Sequence, residues 1–231
     1  ATTSPDQTVF SDTGEAGFLG TDAAKRLHVI IANGYNVIGY GLSTTGNFRE
    51  AIEAYGEALK HLRQLPTHEQ SLTLQATILN NLSRALVELG KRRAIRICQD
   101  GLDMRLEAGE LAPIALSYNT LGLIYNDLLE PRAAMEACGK ANAIALTLYN
   151  SRLQGLVSIQ LAESFRRQAR TGLVQDEWER ERLYRQAEAA CEIAFTAFAN
   201  EEPVRKIEAE IEAGCLYRDW MEKTDKEDDS F

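Results

Sequence analysis

Apolar side chains recur at spacings of three and four residues along most of the chain, with charged and amide residues between them. This spacing places the apolar residues on one side of an α-helix. Of the 5 Pro in the chain, Pro66, Pro113 and Pro203 fall at or near the start of a periodic segment, where proline is tolerated. The pattern therefore predicts an all-α chain with helices over residues 22–45, 48–64, 68–89, 91–108, 111–129, 131–149, 151–171, 176–199 and 202–223.

The predicted helices form pairs that repeat one order of small and large residues. Tyr35-x2-Ile38-Gly39-x2-Leu42 opens the first pair, and Tyr118-x2-Leu121-Gly122-x2-Tyr125 opens the third. A small residue in each helix of a pair allows the two helices to approach closely. We expect such contacts from Gly39, Ser83, Gly122, Ala162 and Gly214 in the first helices, and from Ala51, Ala94, Ala134 and Ala187 in the second helices.

This order of residues resembles the tetratricopeptide repeat, and the resemblance covers roughly residues 24–220. Successive blocks lie roughly 40 residues apart, whereas the family repeats every 34. The chain is therefore similar to the longer variants in kinesin light chains and in bacterial regulators of the MalT or Rap kind. The resemblance implies a solenoid of antiparallel helix pairs in a right-handed superhelix, with four pairs and a closing helix in residues 22–223. Residues 1–21 are expected to form a flexible acidic arm, and residues 224–231 an acidic tail.

Three asparagines share one repeat position, because Asn36, Asn80 and Asn119 each follow the Tyr or Leu that opens a block. In the family, this position lines the concave groove formed by the first helices, and comparable asparagines hold the main chain of a bound peptide. A side-chain amide offers both a donor and an acceptor. The resemblance therefore implies a ligand-binding series, with polar packing of the groove wall as the alternative. The same concave side would carry Asn33, Tyr40, Arg84, Asn126 and Glu163.

Arginines cluster around an insertion of about thirteen residues in the fourth block, between Phe165 and Tyr184. Acidic residues alternate with them, which is typical of a solvated, salt-bridged helix face. The alternative is a patch for an anionic ligand, chiefly through Arg166 and Arg167.

Cysteines and histidines give no pattern of a metal or catalytic site. Cys98, Cys138 and Cys191 occupy the repeat position that Tyr55 holds in the first block, which is a core position between paired helices. The chain has no CxxC pair and no histidine at ligand spacing. We expect buried free thiols in a reducing cytoplasm, with no bound metal, no cofactor and no enzymatic activity.

The net charge of −9 lies mostly in the first 22 and last ten residues. The nearly neutral remainder lacks the basic face that nucleic acid or an anionic membrane requires. We therefore expect the partner to be another protein or a peptide, bound in the concave groove; self-association is left open. The alternative is a sensor domain of a larger bacterial signalling or transcription-regulating protein, in which occupancy of the groove changes the pitch of the superhelix.

Overall fold

The computed structural model of the chain describes residues 13–65, 71–171, 174–199 and 203–228, with side chains described between residues 22 and 221 of these ranges. Every regular element in these ranges is an α-helix, which confirms the all-α prediction. The helices are α1 (Thr13–Thr44), α2 (Phe48–Arg63), α3 (Leu72–Glu88), α4 (Ala94–Ala108), α5 (Leu111–Asp127), α6 (Pro131–Thr147), α7 (Ser151–Arg170), α8 (Glu177–Phe198) and α9 (Pro203–Asp228).

Each helix packs against the next one along the chain, and the contacts are most extensive within α1–α2, α3–α4, α5–α6 and α7–α8. These are the four pairs that the repeat pattern predicts. The odd-numbered helices also contact one another in order, from α1 and α3 through to α7 and α9. The odd helices therefore form a continuous row, which brings residues distant in sequence onto one surface.

Close approach within the pairs depends on the predicted small residues. A Cβ placed on Gly39 of α1 would lie 2.6 Å from Cε1 of Tyr55 in α2, and one on Gly122 of α5 would overlap Sγ of Cys138 in α6. Gly214 behaves differently, because a Cβ there meets no atom within 4 Å. The predicted close contact at Gly214 is therefore wrong: among the described residues, no helix packs over that side of α9.

Glycine and proline mark turns and helix starts as the sequence predicts, but some helices begin or end at residues other than the predicted ones. Gly46 and Gly90 have positive φ angles of 81° and 66°, and α6 begins at Pro131. Helix α1 begins at Thr13, so the predicted arm of residues 1–21 is partly helical, and no proline after Pro5 interrupts that stretch. Residues 1–12 lie outside the described residues, as do residues 229–231 of the predicted tail, while α9 continues past the predicted end to Asp228.

Candidate functional site

A cavity of about 670 Å³ lies between the first three helices and the beginning of α9, and we call it the inter-helix cavity. Its walls come from α1, α2, α3, α7 and α9, so residues from both ends of the chain meet around it. Its volume is in the range of sites that hold a ligand of drug size. Four of the five helices are odd-numbered, as expected for a site on the surface formed by the odd row.

Tyr55 of α2 forms part of the cavity floor. The side chain is 0% exposed, and its hydroxyl has no hydrogen-bond partner among the described residues. Gly39 lies against one edge of the ring and fixes its position. Burial raises the pKa of Tyr55 to about 12, although the nearby Arg84 opposes the rise. The hydroxyl is therefore protonated at neutral pH and can donate a hydrogen bond.

Tyr40 and Arg84 stand above this floor, and both belong to the candidate residues predicted from the repeat. Each follows the small residue of its helix, Gly39 in α1 and Ser83 in α3, so the two hold the same repeat position. Tyr40 is 52% exposed, Arg84 is half-buried, and both influence the pKa of Tyr55 electrostatically. The guanidinium of Arg84 has no ion-pair partner within the described part of the chain.

Further polar groups of the wall already have partners within the protein. Arg205 of α9 donates two hydrogen bonds from Nη1 to the carboxylate of Glu208, at 2.9 and 2.7 Å. Nδ2 of Asn81 donates to Oδ1 of Asn36 at 3.1 Å and links α3 to α1. These bonds order the wall, whereas the Arg84 guanidinium and the buried Tyr55 hydroxyl have no partner among the described residues.

The structure places the asparagine series between helices. Asn36 and Asn80 are each only 9% exposed. Oδ1 of Asn80 accepts a weak bond from the Cys98 thiol at 3.8 Å, and Oδ1 of Asn119 is buried without a partner in the described residues. None of the three lines the inter-helix cavity, whereas Asn81, one residue further along α3, does. Their burial favours the alternative of polar packing, and their role in ligand binding stays a prediction.

Asn126 is fully buried, contrary to the expectation that it faces the groove. Its Nδ2 donates to the Gln160 main-chain oxygen at 3.0 Å, and its Oδ1 accepts from Oγ of Ser164 at 3.0 Å. Both polar ends of the amide therefore join α5 to α7. Because both of its polar atoms already have partners, the structure favours a packing role for Asn126, and its contact with a ligand stays a prediction. Asn33 of α1, by contrast, is exposed.

Arg166 is also buried, in a group of charges that joins α7 to α9. Its Nε donates to Oε1 of Glu212 at 2.6 Å, and its Nη1 donates to Oδ2 of Asp219 at 2.7 Å. These hydrogen bonds and charges raise the pKa of Arg166 despite the opposing effect of burial. Arg170 also pairs with Asp219. Internal carboxylates thus occupy the donors of Arg166, which favours the salt-bridged face over the alternative of an anion-binding patch; ligand binding by Arg166 stays a prediction.

The remaining charges of the insertion pair along the helices, as the alternating pattern predicts. Arg167 contacts Glu163 at 2.6 Å, one turn away in α7. In α8, the arginines pair with glutamates three or four residues away: Arg180 with Glu177, Arg182 with Glu179, and Arg185 with Glu181. Arg167 and Glu163, two of the predicted groove residues, thus neutralise each other. The pairing supports a salt-bridged face over an anion-binding patch.

Tyr55 and Asn81 were missed as site residues by the sequence analysis. A usable signal existed for Tyr55, because the equivalent positions in the other blocks hold the smaller residues Cys98, Cys138 and Cys191. No comparable signal marked the first residues of α9, whose position near α1 depends on the path of the whole chain.

The cysteines lie where the repeat register predicts. Cys98, Cys138 and Cys191 are buried, and burial raises the pKa of each thiol to about 12. No group of three or more His, Cys, Asp or Glu with the arrangement of a metal site occurs among the residues described. None of the described helices combines the length and apolar character needed to cross a bilayer.

A scan of the chain against protein-family models finds no match. A search of the curated proteins finds no significantly similar sequence.

Proposed function

We propose that the chain is a protein-interaction module of the tetratricopeptide-like kind, in which helix pairs stack into a right-handed solenoid and a partner peptide or helix binds along the odd-numbered helices. The contacts between successive odd helices support this arrangement, because closer packing on one side of a helical stack makes that side concave. The module binds its partner through side-chain contacts on this surface, without any chemical step.

The inter-helix cavity is the observation that carries this proposal. It collects the exposed ring of Tyr40 and the unpaired charge of Arg84 in one concave region. Aromatic and arginine side chains are the residues that most often dominate binding at protein interfaces. In this mechanism Tyr40 packs against an apolar side chain of the partner, and Arg84 binds an acceptor on it.

A second candidate function is a sensor domain of a larger regulator. The observation that favours it is that helices from both ends of the chain line the same cavity. Because α1–α3 and the start of α9 face the same space, a bound ligand would connect the two ends of the solenoid. Occupancy could then change the position of any domain attached after α9. The four free cysteines support a reducing, cytoplasmic compartment in either case.

Selection from a random display library of 12-residue peptides tests the interaction proposal. We expect selected peptides to lose binding to Arg84→Glu and Tyr40→Ala variants and to keep it with Arg132→Glu. Arg132 is the matched control, since it is exposed on the even-numbered helix α6. Peptides that bind all three variants equally, or a selection that yields no binder, would contradict the proposal.

A further inference from the structure

The floor of the inter-helix cavity holds a buried hydroxyl that nothing in the described protein uses. Buried polar groups are nearly always hydrogen-bonded, and an exception calls for a reason. Tyr55 could have been a phenylalanine at no cost in packing, since its ring already fills the space beside Gly39. The hydroxyl gains a purpose if a bound group accepts its hydrogen bond.

Arg84 supplies a second hydrogen-bond donor to the cavity, in addition to the Tyr55 hydroxyl. Its charge lies near enough to Tyr55 to lower the pKa of that hydroxyl, against the larger effect of burial. A guanidinium has five N–H donors and no acceptor. The Tyr55 hydroxyl can donate or accept, whereas the positively charged guanidinium only donates, so a ligand acceptor, preferably an anionic one, satisfies both groups at once.

The other residues that line the cavity limit the charge and the shape of the ligand. The lining carries three arginines, Arg84, Arg152 and Arg205, against the two glutamates Glu88 and Glu208, and this small excess of positive charge suits one negative charge better than two. Phe48 and Val204 add apolar surface. Val204 is 68% exposed although it is aliphatic. A single negative charge attached to an apolar segment fits these walls better than a phosphate dianion.

We propose that the inter-helix cavity binds a carboxylate, with the Tyr55 hydroxyl and the Arg84 guanidinium as its donors and with the adjoining apolar part of the ligand packed on Phe48 and Val204. The carboxylate belongs either to a Glu side chain of a peptide or to a free organic acid. The peptide source rests on the proposed interaction function, whereas the free acid does not. The half-buried Arg84 and the exposed Tyr40 lie over the floor, so a ligand reaches the hydroxyl once these side chains rotate.

Two matched pairs of probes test the carboxylate and distinguish its sources. The first pair is 4-phenylbutyrate and 4-phenylbutyramide. The second is an acetylated and amidated heptapeptide with a central Glu-Phe, compared with the same peptide carrying Gln-Phe. Binding to the full chain is followed by amide chemical shifts in nitrogen-15 NMR spectra. We expect at least one carboxylate probe to bind more than tenfold tighter than its amide partner.

Variants of the two donors test the residue assignment. Tyr55→Phe and Arg84→Gln are each expected to remove most of the carboxylate preference, and Arg132→Gln on α6 is expected to keep it. The melting temperature of ligand-free Tyr55→Phe should not fall, because the lost hydroxyl has no partner in the described structure. A clear fall would show that the hydroxyl has a structural role and would overturn the assignment.

The possible outcomes separate this inference from the proposed function. Equal binding of the Glu and Gln peptides, with no binding of 4-phenylbutyrate, would overturn the carboxylate site and leave peptide binding intact. Binding of 4-phenylbutyrate without either peptide would support the site and count against a peptide partner. If no carboxylate probe binds better than its amide, the inference is wrong.

Discussion

Replacing Gly122 by Ala should destabilise the α5–α6 pair relative to a matched replacement nearby. The new Cβ would overlap Sγ of Cys138, which is completely buried. Overpacking of this kind costs about 1–3 kcal/mol. The control is Gly139→Ala in α6, where an added Cβ meets no atom within 4 Å. At Gly139 only helix propensity acts, and Ala is favoured over Gly by about 1 kcal/mol.

Both replacements gain the same helix propensity, because each changes Gly to Ala within a helix. The difference between their unfolding free energies therefore measures the cost of the overlap with Cys138. We expect Gly122→Ala to be less stable than Gly139→Ala by about 1–3 kcal/mol in urea unfolding followed by circular dichroism. Adding Cys138→Ala to Gly122→Ala should recover part of the loss, because contacting residues show coupling of about 0.5–3 kcal/mol. Equal stabilisation by the two glycine replacements would refute the close approach of α5 and α6.

Three further predictions concern buried and titrating groups. Asn126→Ala should lower the unfolding free energy by about 1–3 kcal/mol, since it removes two buried hydrogen bonds. Asn33→Ala at an exposed site should change it by less than about 0.5 kcal/mol, and equal effects in thermal melts would contradict the buried bonds. Desolvation and the carboxylates of Glu163 and Glu88 raise the pKa of Asp127 to about 6, so its contribution to stability is greatest at acidic pH and is lost as the pH rises through 6. The Asp127 residue is nevertheless exposed as a whole, so desolvation of its carboxyl is incomplete and solvent screens the neighbouring charges. The loss should therefore not exceed about 1 kcal/mol, and Asp127→Asn should remove it from unfolding curves at pH 5 and pH 7.5. A thiol reagent should modify the half-buried Cys215 first and should react with the buried Cys98, Cys138 and Cys191 only after denaturation. Rapid reaction of all four thiols in the native protein would show that these three cysteines do not occupy core positions.

The helices and their pairwise contacts could be predicted because their signals are local. Apolar spacing determines which face of a helix is buried, and small residues such as Gly39 and Gly122 mark where a neighbour comes close. Gly214 carries the same signal and fails, since its contact requires a further helix over α9 that the described residues do not supply. A repeat pattern therefore predicts contacts within the stack better than at its end.

The candidate site was harder to predict because neighbouring positions of a helix face different surroundings. Successive residues of an α-helix are rotated by about 100°. Asn80 consequently lies against α4, where it meets Cys98, while Asn81 lies in the cavity wall. The repeat register predicts that the amide series lines the groove, whereas Asn80 lies in the seam between α3 and α4; the role of the series in ligand binding stays a prediction.

The first helix pair shows how a shared register can produce different chemistry at one position. In the second pair, the thiol of Cys98 stays within the core, between Asn80 and the main-chain oxygen of Ser117. In the first pair, Tyr55 holds the same position, but its longer side chain carries the hydroxyl past the helix seam to the cavity floor. Arg84 and the start of α9 reach this cavity from the second pair and from the end of the chain. The site thus depends on contacts over long sequence distances, which local periodicity does not encode.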